Sequence, residues 1–257
     1  MSSVAGRNKL GGEMTTWVET IGQRAIQSPA GLRARWRFAN AALTAALHVR
    51  PPIAEFVWRY GVRQLPIIAL LGAVLGLLVV GQAVALLRQV GAQHFMGTVM
   101  VTVVMRELGP LLAAFVLAAR AGTATVVELS LAGERKMREL VAPRLKAFMV
   151  ATVCLTVYLI FLALATGYLV AFLQGVPLRV AAYANELADA MHWMDFVLVG
   201  VKAALFGAVV ALVSCFHGME QRRGIEELPH ATTRAVVESL ACCLALDAVF
   251  LAGYLVR

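Results

Sequence analysis

The sequence predicts an all-α integral membrane protein in which five transmembrane helices follow an amphipathic helix that lies along the membrane surface. Composition is the first reason, because hydrophobic residues make up 60% of the 257 residues and charged residues only 15%. Soluble domains usually contain about 45–50% apolar and about 25% charged residues. The second reason is a set of five apolar stretches, each long enough for a helix to cross a hydrocarbon layer of about 30 Å.

The amphipathic helix is predicted ahead of the first span. Its apolar residues recur at helical spacings of three or four, namely Leu32, Trp36, Ala39, Leu43 and Leu47. Arginines near its start suit anionic lipid headgroups, namely Arg33, Arg35 and Arg37. A soluble helix packed on a partner is the alternative interpretation. Pro51 and Pro52 end the element, so residues 1–64 are predicted to form a cytoplasmic N-terminal region and residues 65–257 a five-span membrane domain.

The five spans must be helices, because a single segment in lipid has to satisfy its own backbone hydrogen bonds. A G-x-x-x-G pattern at Gly72 and Gly76 allows a close helix contact in the first span. We expect that contact inside the bundle, in preference to one between two copies. The predicted spans are Leu65–Leu87, Met96–Ala119, Leu145–Leu173, Phe196–Phe216 and Ala235–Val256.

Lysine and arginine residues set the predicted orientation. They concentrate before the first span, between the second and third spans, and between the fourth and fifth spans. The other two loops are poorer in them. Because basic loops stay in the cytoplasm, we expect a multi-pass protein of the bacterial inner membrane, with a cytoplasmic N-terminus and a periplasmic C-terminus. These loops account for the net charge of +8 without nucleic-acid binding.

Several kinds of chemistry are not predicted. The four cysteines lie in apolar runs and the five histidines are scattered without ligand spacing, so no metal site is expected. The chain has no G-x-x-x-x-G-K-[ST] pattern, so it does not hydrolyse ATP through a P-loop. No nucleophile–base pair is evident either. We therefore expect no cofactor and no enzymatic activity in this chain.

Charged residues inside the spans are the most informative feature. Arg106 and Glu107 lie in the middle of the second span, directly before Gly109 and Pro110, which weaken the helix. Ionisable residues at this depth are costly and usually face a partner or a water-filled cavity. Two interpretations stay open: a cavity or hinge, or a charged pair that locks two helices together.

Lys202 in the fourth span and Asp247 in the fifth span both fall toward the outer half of the membrane in this topology. We predict that they pair across helices as structural polar residues. The alternative is that each of them binds a polar group of a substrate. Glu238 lies near the cytoplasmic end of the fifth span and could reach lipid headgroups.

The loop between Arg120 and Lys146 carries a run of charges that could dock a cytoplasmic partner or simply face solvent. The residues concerned are Glu134, Arg135, Lys136, Arg138 and Glu139.

Several short blocks of the sequence resemble the permeases of MCE-type lipid ABC transporters, the MlaE/YrbE family. The resemblance covers about residues 50 to 257 and is most specific in the blocks R-E-L-G-P and A-T-T-R-A-V-V. The matching blocks are Gly72–Gln82, Arg106–Pro110, Ala119–Gly122, Glu128–Leu129, Lys202, Phe206–Gly207, Cys215–Gly218, Ala231–Val237 and Leu246–Asp247.

The resemblance implies a homodimer of five-span subunits that binds cytoplasmic ATPase subunits, which use the ATP, and a periplasmic MCE-domain protein. Such an assembly moves phospholipid or a related lipid between the inner membrane and the outer envelope. The resemblance places a lipid pocket at Gln82, Leu86, Leu87, Arg106 and Glu107. ATPase coupling is expected at Glu128, Glu134, Arg135, Lys136 and Arg138.

One segment departs from the family pattern. The stretch from Glu128 to Pro143 is shorter by roughly a dozen residues, or up to about 18 Å of helix, and lacks the usual T-E-Q and D-P elements. Three explanations are open: a shortened coupling helix with a matching ATPase, an asymmetric partner for a complete permease, or a permease that does not couple to ATP. An ion-coupled carrier that uses Glu107, Asp247 or Lys202, or a scaffold subunit, is the alternative function.

Overall fold

The structure is a computed structural model that describes residues 39–40, 42, 53–89, 91, 96–132, 137–173, 180–220 and 228–255. The chain forms two units, Met1–Ala41 and Ala42–Arg257. Ala39 and Asn40 of the first unit, and Ala42 of the second, are helical, so a helix precedes the spans as predicted. The rest of the predicted amphipathic segment lies outside the described residues, and its position on the membrane surface stays a prediction.

Five helical stretches are long and apolar enough to cross a membrane, which confirms the predicted fold class. They are Glu55–Leu87, Gly97–Leu131, Val141–Leu173, Trp193–Met219 and Leu228–Gly253, called here the first to fifth spans. The first span begins ten residues earlier than predicted, since 55 replaces 65. A 3-10 turn at Val62–Gln64 joins the opening helix of this span to the next helix. Arg59 and Arg63 therefore lie within the first span and not before it.

Most of each span is α-helix, and in the part of the chain that the structure describes three segments widen into π-helix. These π segments are Gly76–Val80, Met100–Leu108 and Ala118–Gly122. From residue 53 onward, the described α-helices are Ile53–Tyr60, Leu65–Leu75, Gly81–Gln89, Met96–Val99, Gly109–Leu117, Thr123–Ala132, Met137–Leu173, Val180–Ala190, Trp193–Glu220 and Leu228–Leu255.

The third span is the centre of the bundle, since it packs against the first, second and fourth spans. Its Phe148, Leu155 and Leu159 are fully buried, together with Phe206 of the fourth span and Leu117 of the second. The fifth span is different: only 17% of its most apolar window is buried, against 50% in the third span. Most of the fifth span therefore faces lipid or another chain.

The G-x-x-x-G pattern packs inside the bundle, as predicted. A Cβ atom on Gly72 would meet the Leu159 carbonyl and Leu162, and one on Gly76 would collide with Thr166 and the Ala163 carbonyl. Both contacts are with the third span. The absence of a side chain at these glycines lets the two backbones approach closely.

We expect Gly76→Ala to lower the unfolding free energy by about 1–3 kcal/mol, because the added methyl group overpacks a backbone contact. Gly200→Ala is the matched control, since a Cβ at Gly200 meets nothing within 4 Å. That change should raise stability slightly, by about 0.5–1 kcal/mol, because alanine favours a helix. Thermal unfolding of the purified protein in detergent measures both changes in stability. Equal changes for the two variants would contradict the close contact between Gly76 and the third span.

Candidate functional site

Pro110 creates an unusual acceptor in the middle of the second span. In an α-helix the Arg106 carbonyl would accept a hydrogen bond from the backbone of residue 110, but proline has no N–H. The residues just before it, Met100–Leu108, are π-helical, and such segments are frequent at functional sites. Lys202 of the fourth span donates to the Arg106 carbonyl oxygen, with its Nζ at 2.9 Å. The proline break therefore joins the second span to the fourth.

Lys202 is the most buried charge of the site, with 3% of its side chain exposed. Its Nζ lies 2.9 Å from Glu107 Oε2 and also contacts the Asp247 carboxylate. The rings of Phe206 and Phe250 lie 6.0 and 5.9 Å from the same ammonium, within the range of a cation–π contact. The predicted pairing of Lys202 with Asp247 is confirmed, and Glu107 joins it.

Arg106 points to a different partner. Its Nη2 lies 2.8 Å from Asp195 Oδ1, and the Asp195 side chain is only 5% exposed. Asp195 also caps the start of the fourth span, because its Oδ2 accepts the His192 backbone N–H at 3.1 Å. Arg106 and Glu107 each contact the fourth span, so they link helices through separate partners.

The ionic network is the set Arg106, Glu107, Asp195, Lys202 and Asp247, which ties together the second, fourth and fifth spans. It contains two cations and three carboxylates, so these described residues carry a net charge of −1 when all are ionised. Such a group of charges suits the binding of a charged ligand. Within the described residues, no cluster of His, Cys, Asp and Glu could hold a metal ion.

An apolar cleft lies between the first and second spans. It is lined by Val79, Ala83, Val99, Met100 and Val104 and has a volume of about 140 Å³. Two of the π segments contribute to it, since Val79 belongs to one and Met100 and Val104 to the other. The volume of about 140 Å³ includes space open to solvent, so the cleft has no enclosed room for a lipid.

The five predicted pocket residues lie on different surfaces of the chain. Gln82 is exposed on the first span, as is Leu86 at 62%, whereas Leu87 packs near Met100. Arg106 and Glu107 belong to the ionic network with the fourth and fifth spans. One chain does not gather all five into an enclosed cavity, and their joint role stays a prediction.

A second group of charges lies at the other end of the spans. Glu128 accepts three contacts: Arg59 at 3.0 Å, the Tyr60 hydroxyl at 3.0 Å and Arg144 at 2.5 Å. We call these four residues the Glu128 cluster. Arg144 is only 4% exposed, and its Nε and Nη1 have no hydrogen-bond partner in the part of the chain that the structure describes. This buried guanidinium therefore depends on Glu128.

The predicted coupling residues are only partly described. Glu128 contacts residues of its own chain, while Glu134, Arg135 and Lys136 lie outside the described residues. Arg138 is helical, in Met137–Leu173, and its side chain is not described. Their role in coupling stays a prediction.

Glu238 contacts His217 of the fourth span, with Oε2 and Nε2 2.6 Å apart, and its reach to lipid headgroups stays untested. This pair adds a second link between the fourth and fifth spans.

Asp195 and Arg144 were not identified as site residues from the sequence. Asp195 was treated as a loop charge, although it lies seven residues before Lys202 and therefore on the same face of a helix. That spacing was the signal that would have found it. Arg144 stands at the start of an apolar run with Lys146 two residues later, and nothing in the sequence distinguishes it from the other basic residues of that loop.

Comparison with known proteins adds an independent observation. Residues 53–252 match the family model described as Permease MlaE. The chain is 26% identical over 237 residues to a probable ABC transporter permease protein of Rickettsia felis, which covers 86% of this chain and 90% of the relative. It is 28% identical over 206 residues to the intermembrane phospholipid transport system permease protein MlaE of Haemophilus influenzae, covering 75% and 78%. A chloroplastic protein of Arabidopsis thaliana, TRIGALACTOSYLDIACYLGLYCEROL 1, is 26% identical over 220 residues, covering 80% and 62%.

Proposed function

Since this chain belongs to the MlaE permease family of ABC transporters, we propose that it moves phospholipid or a related lipid between the inner membrane and the outer envelope. The observation that carries the proposal is the ionic network inside an otherwise apolar bundle. The Haemophilus influenzae relative is named for phospholipid transport. The chain itself binds no cofactor in this proposal, and ATP is used by a separate ATPase.

An amphiphilic cargo fits the two kinds of surface that the bundle offers. The ionic network suits a charged headgroup, and exposed leucines on the first span suit acyl chains. A pocket that is mostly apolar with a few polar groups is the usual arrangement for such a ligand. The exposed leucines are Leu70, Leu77, Leu78 and Leu86.

A second copy of the chain would supply the surface that one chain lacks. The cleft of one chain has no enclosed room for a lipid, while Gln82 and Leu86 are exposed and the fifth span is mostly uncovered. We propose a homodimer in which these surfaces close a shared lipid pocket. A periplasmic MCE-domain protein would receive or deliver the lipid at the outer side, where the Asp195 end of the spans lies in the predicted topology.

The Glu128 cluster lies where a cytoplasmic ATPase would act. The second-span helix ends at Ala132 and the third-span helix begins at Met137, so the segment between them is short. A movement of this segment, caused by the ATPase, would be transmitted to Glu128 through the second span and to Arg144 through the third span. ATP drives transport only if its binding favours one state of the permease over the other, and the cluster joins three helices that would move together.

Neutralising the segment between these helices tests ATPase coupling. We expect the triple variant Glu134→Gln, Arg135→Gln and Lys136→Gln to lose about tenfold in stimulation of the partner ATPase. The variant would lose three charged contacts with the ATPase, worth about 0.2–1 kcal/mol each. The assay is ATP hydrolysis by the purified complex in lipid nanodiscs.

The control is Glu186→Gln with Asp189→Asn, in the loop on the opposite side of the membrane, which should leave stimulation unchanged. Full stimulation by the triple variant would exclude a docking role for this segment. Lipid movement driven by a pH gradient alone, without an ATPase, would support the ion-coupled carrier instead.

A further inference from the structure

The part of the ionic network that a ligand can reach differs from its buried part. Lys202 and Asp195 are almost fully buried, with 3% and 5% of their side chains exposed. Arg106 and Glu107 keep 25% and 26% exposed, and Asp247 keeps 18%. A ligand at this surface therefore meets two carboxylates and one guanidinium.

The buried ammonium of Lys202 does not offset both carboxylates that it contacts. Lys202 carries one positive charge against Glu107 and Asp247, while Arg106 is engaged by Asp195. The described network has three carboxylates for two cations, and an excess charge is costly at membrane depth. A ligand that brings a cation lowers this cost, whereas a ligand that brings only an anion raises it.

We propose, on the basis of the lipid-transport function above, that the headgroup taken by this site is zwitterionic and carries a primary amine. The ammonium of the headgroup binds at Glu107 and Asp247, and its phosphate lies toward Arg106. An ammonium donates up to three hydrogen bonds and carboxylates accept them, and such charge-assisted bonds are the strong ones. Anionic phospholipids without an amine are disfavoured by the same carboxylates.

The expected preference for zwitterionic over anionic lipid can be calculated, because the two headgroups differ by one unit of net charge. At a separation of about 6 Å and an effective dielectric constant of about 40, a unit charge changes a binding constant about tenfold. Amine-bearing zwitterionic lipid should therefore be retained about tenfold better than anionic lipid of the same acyl chains.

The experiment uses the full-length protein purified in detergent and exchanged with an equimolar mixture of three lipids. They are dioleoyl-phosphatidylethanolamine, dioleoyl-phosphatidylglycerol and the N-acetylated form of the first, which keeps the phosphate but loses the cation. Mass spectrometry then counts each lipid retained after washing. We expect the unmodified ethanolamine lipid to exceed each of the other two about tenfold. In Glu107→Gln the preference should fall to about twofold, because one carboxylate has been neutralised.

Glu55→Gln is the matched control, since Glu55 is an exposed carboxylate near the start of the first span, outside the ionic network. The lipid preference of this variant should equal that of the wild type. Equal retention of all three lipids by the wild type, or an excess of phosphatidylglycerol, overturns the headgroup proposal while leaving lipid binding intact. Retention no greater than that of a detergent-matched control protein overturns lipid handling itself. The wild-type comparison stands even if the Glu107 variant does not fold.

Discussion

Lys202→Met is expected to lower the unfolding free energy by about 3–5 kcal/mol, because it leaves the Glu107 and Asp247 carboxylates without their cation. Methionine has nearly the length of lysine, so little packing is lost. The Lys202 ammonium is almost fully buried and contacts both acids. It also donates to the carbonyl that Pro110 leaves without its α-helical donor, so the link between the second and fourth spans weakens as well.

Chemical unfolding in detergent measures this loss. Arg234→Met is the control, because Arg234 is exposed on the fifth span and exposed changes usually stay within about 0.5 kcal/mol. Adding Glu107→Gln and Asp247→Asn to Lys202→Met should recover much of the loss, since the triple variant buries no uncompensated charge. A single variant as stable as the wild type would show that Lys202 does not hold these spans together.

Glu128→Gln is the second large effect, and we expect a loss of about 3–5 kcal/mol. The glutamine keeps the shape of the side chain but removes the only charge partner of the buried Arg144 among the described residues. In the proposed complex, stimulation of the ATPase should fall along with stability, because the Glu128 cluster joins the helices on either side of residues 133–136.

Arg59 provides the control within the same cluster. It contacts the same carboxylate as Arg144 but is 54% exposed, so Arg59→Met should cost only about 0–1 kcal/mol. Adding Arg144→Met to Glu128→Gln should restore part of the stability, since no buried charge is then left without a partner. Equal losses for Arg59→Met and Glu128→Gln would show that burial of Arg144 does not set the energy of the cluster.

The spans were predictable because a single apolar segment in lipid can satisfy its backbone hydrogen bonds only as a helix. The residues at which the spans begin and end were less predictable. A helix at Ile53–Tyr60 and a 3-10 turn at Val62–Gln64 precede the predicted start at Leu65, and hydropathy does not register an amphipathic extension that packs on other helices. The π segments were not predicted either, although Gly109 and Pro110 marked a weak point in the helix directly after one of them.

Ion pairs within the ionic network were predictable only where two charged residues fall at a similar depth in the membrane. Lys202 and Asp247 fall at similar depth, and they do pair. Asp195 lies at the edge of an apolar run, so its bond to Arg106 depended on where the helix begins. The pocket residues Gln82 and Leu86 are exposed, and no pattern within one chain predicts which surface of a second chain would cover them.

The most direct test of a lipid-binding permease is the number of phospholipid molecules that co-purify with each wild-type chain before any lipid is added. We expect at least about one molecule per two chains above the level of an unrelated multi-span protein, and a severalfold decrease in the triple variant Lys202→Met, Glu107→Gln and Asp247→Asn, because the headgroup ammonium then loses both carboxylates. Wild-type protein with no excess lipid, or an undiminished amount in the variant, would contradict the assignment of the headgroup site to these charges.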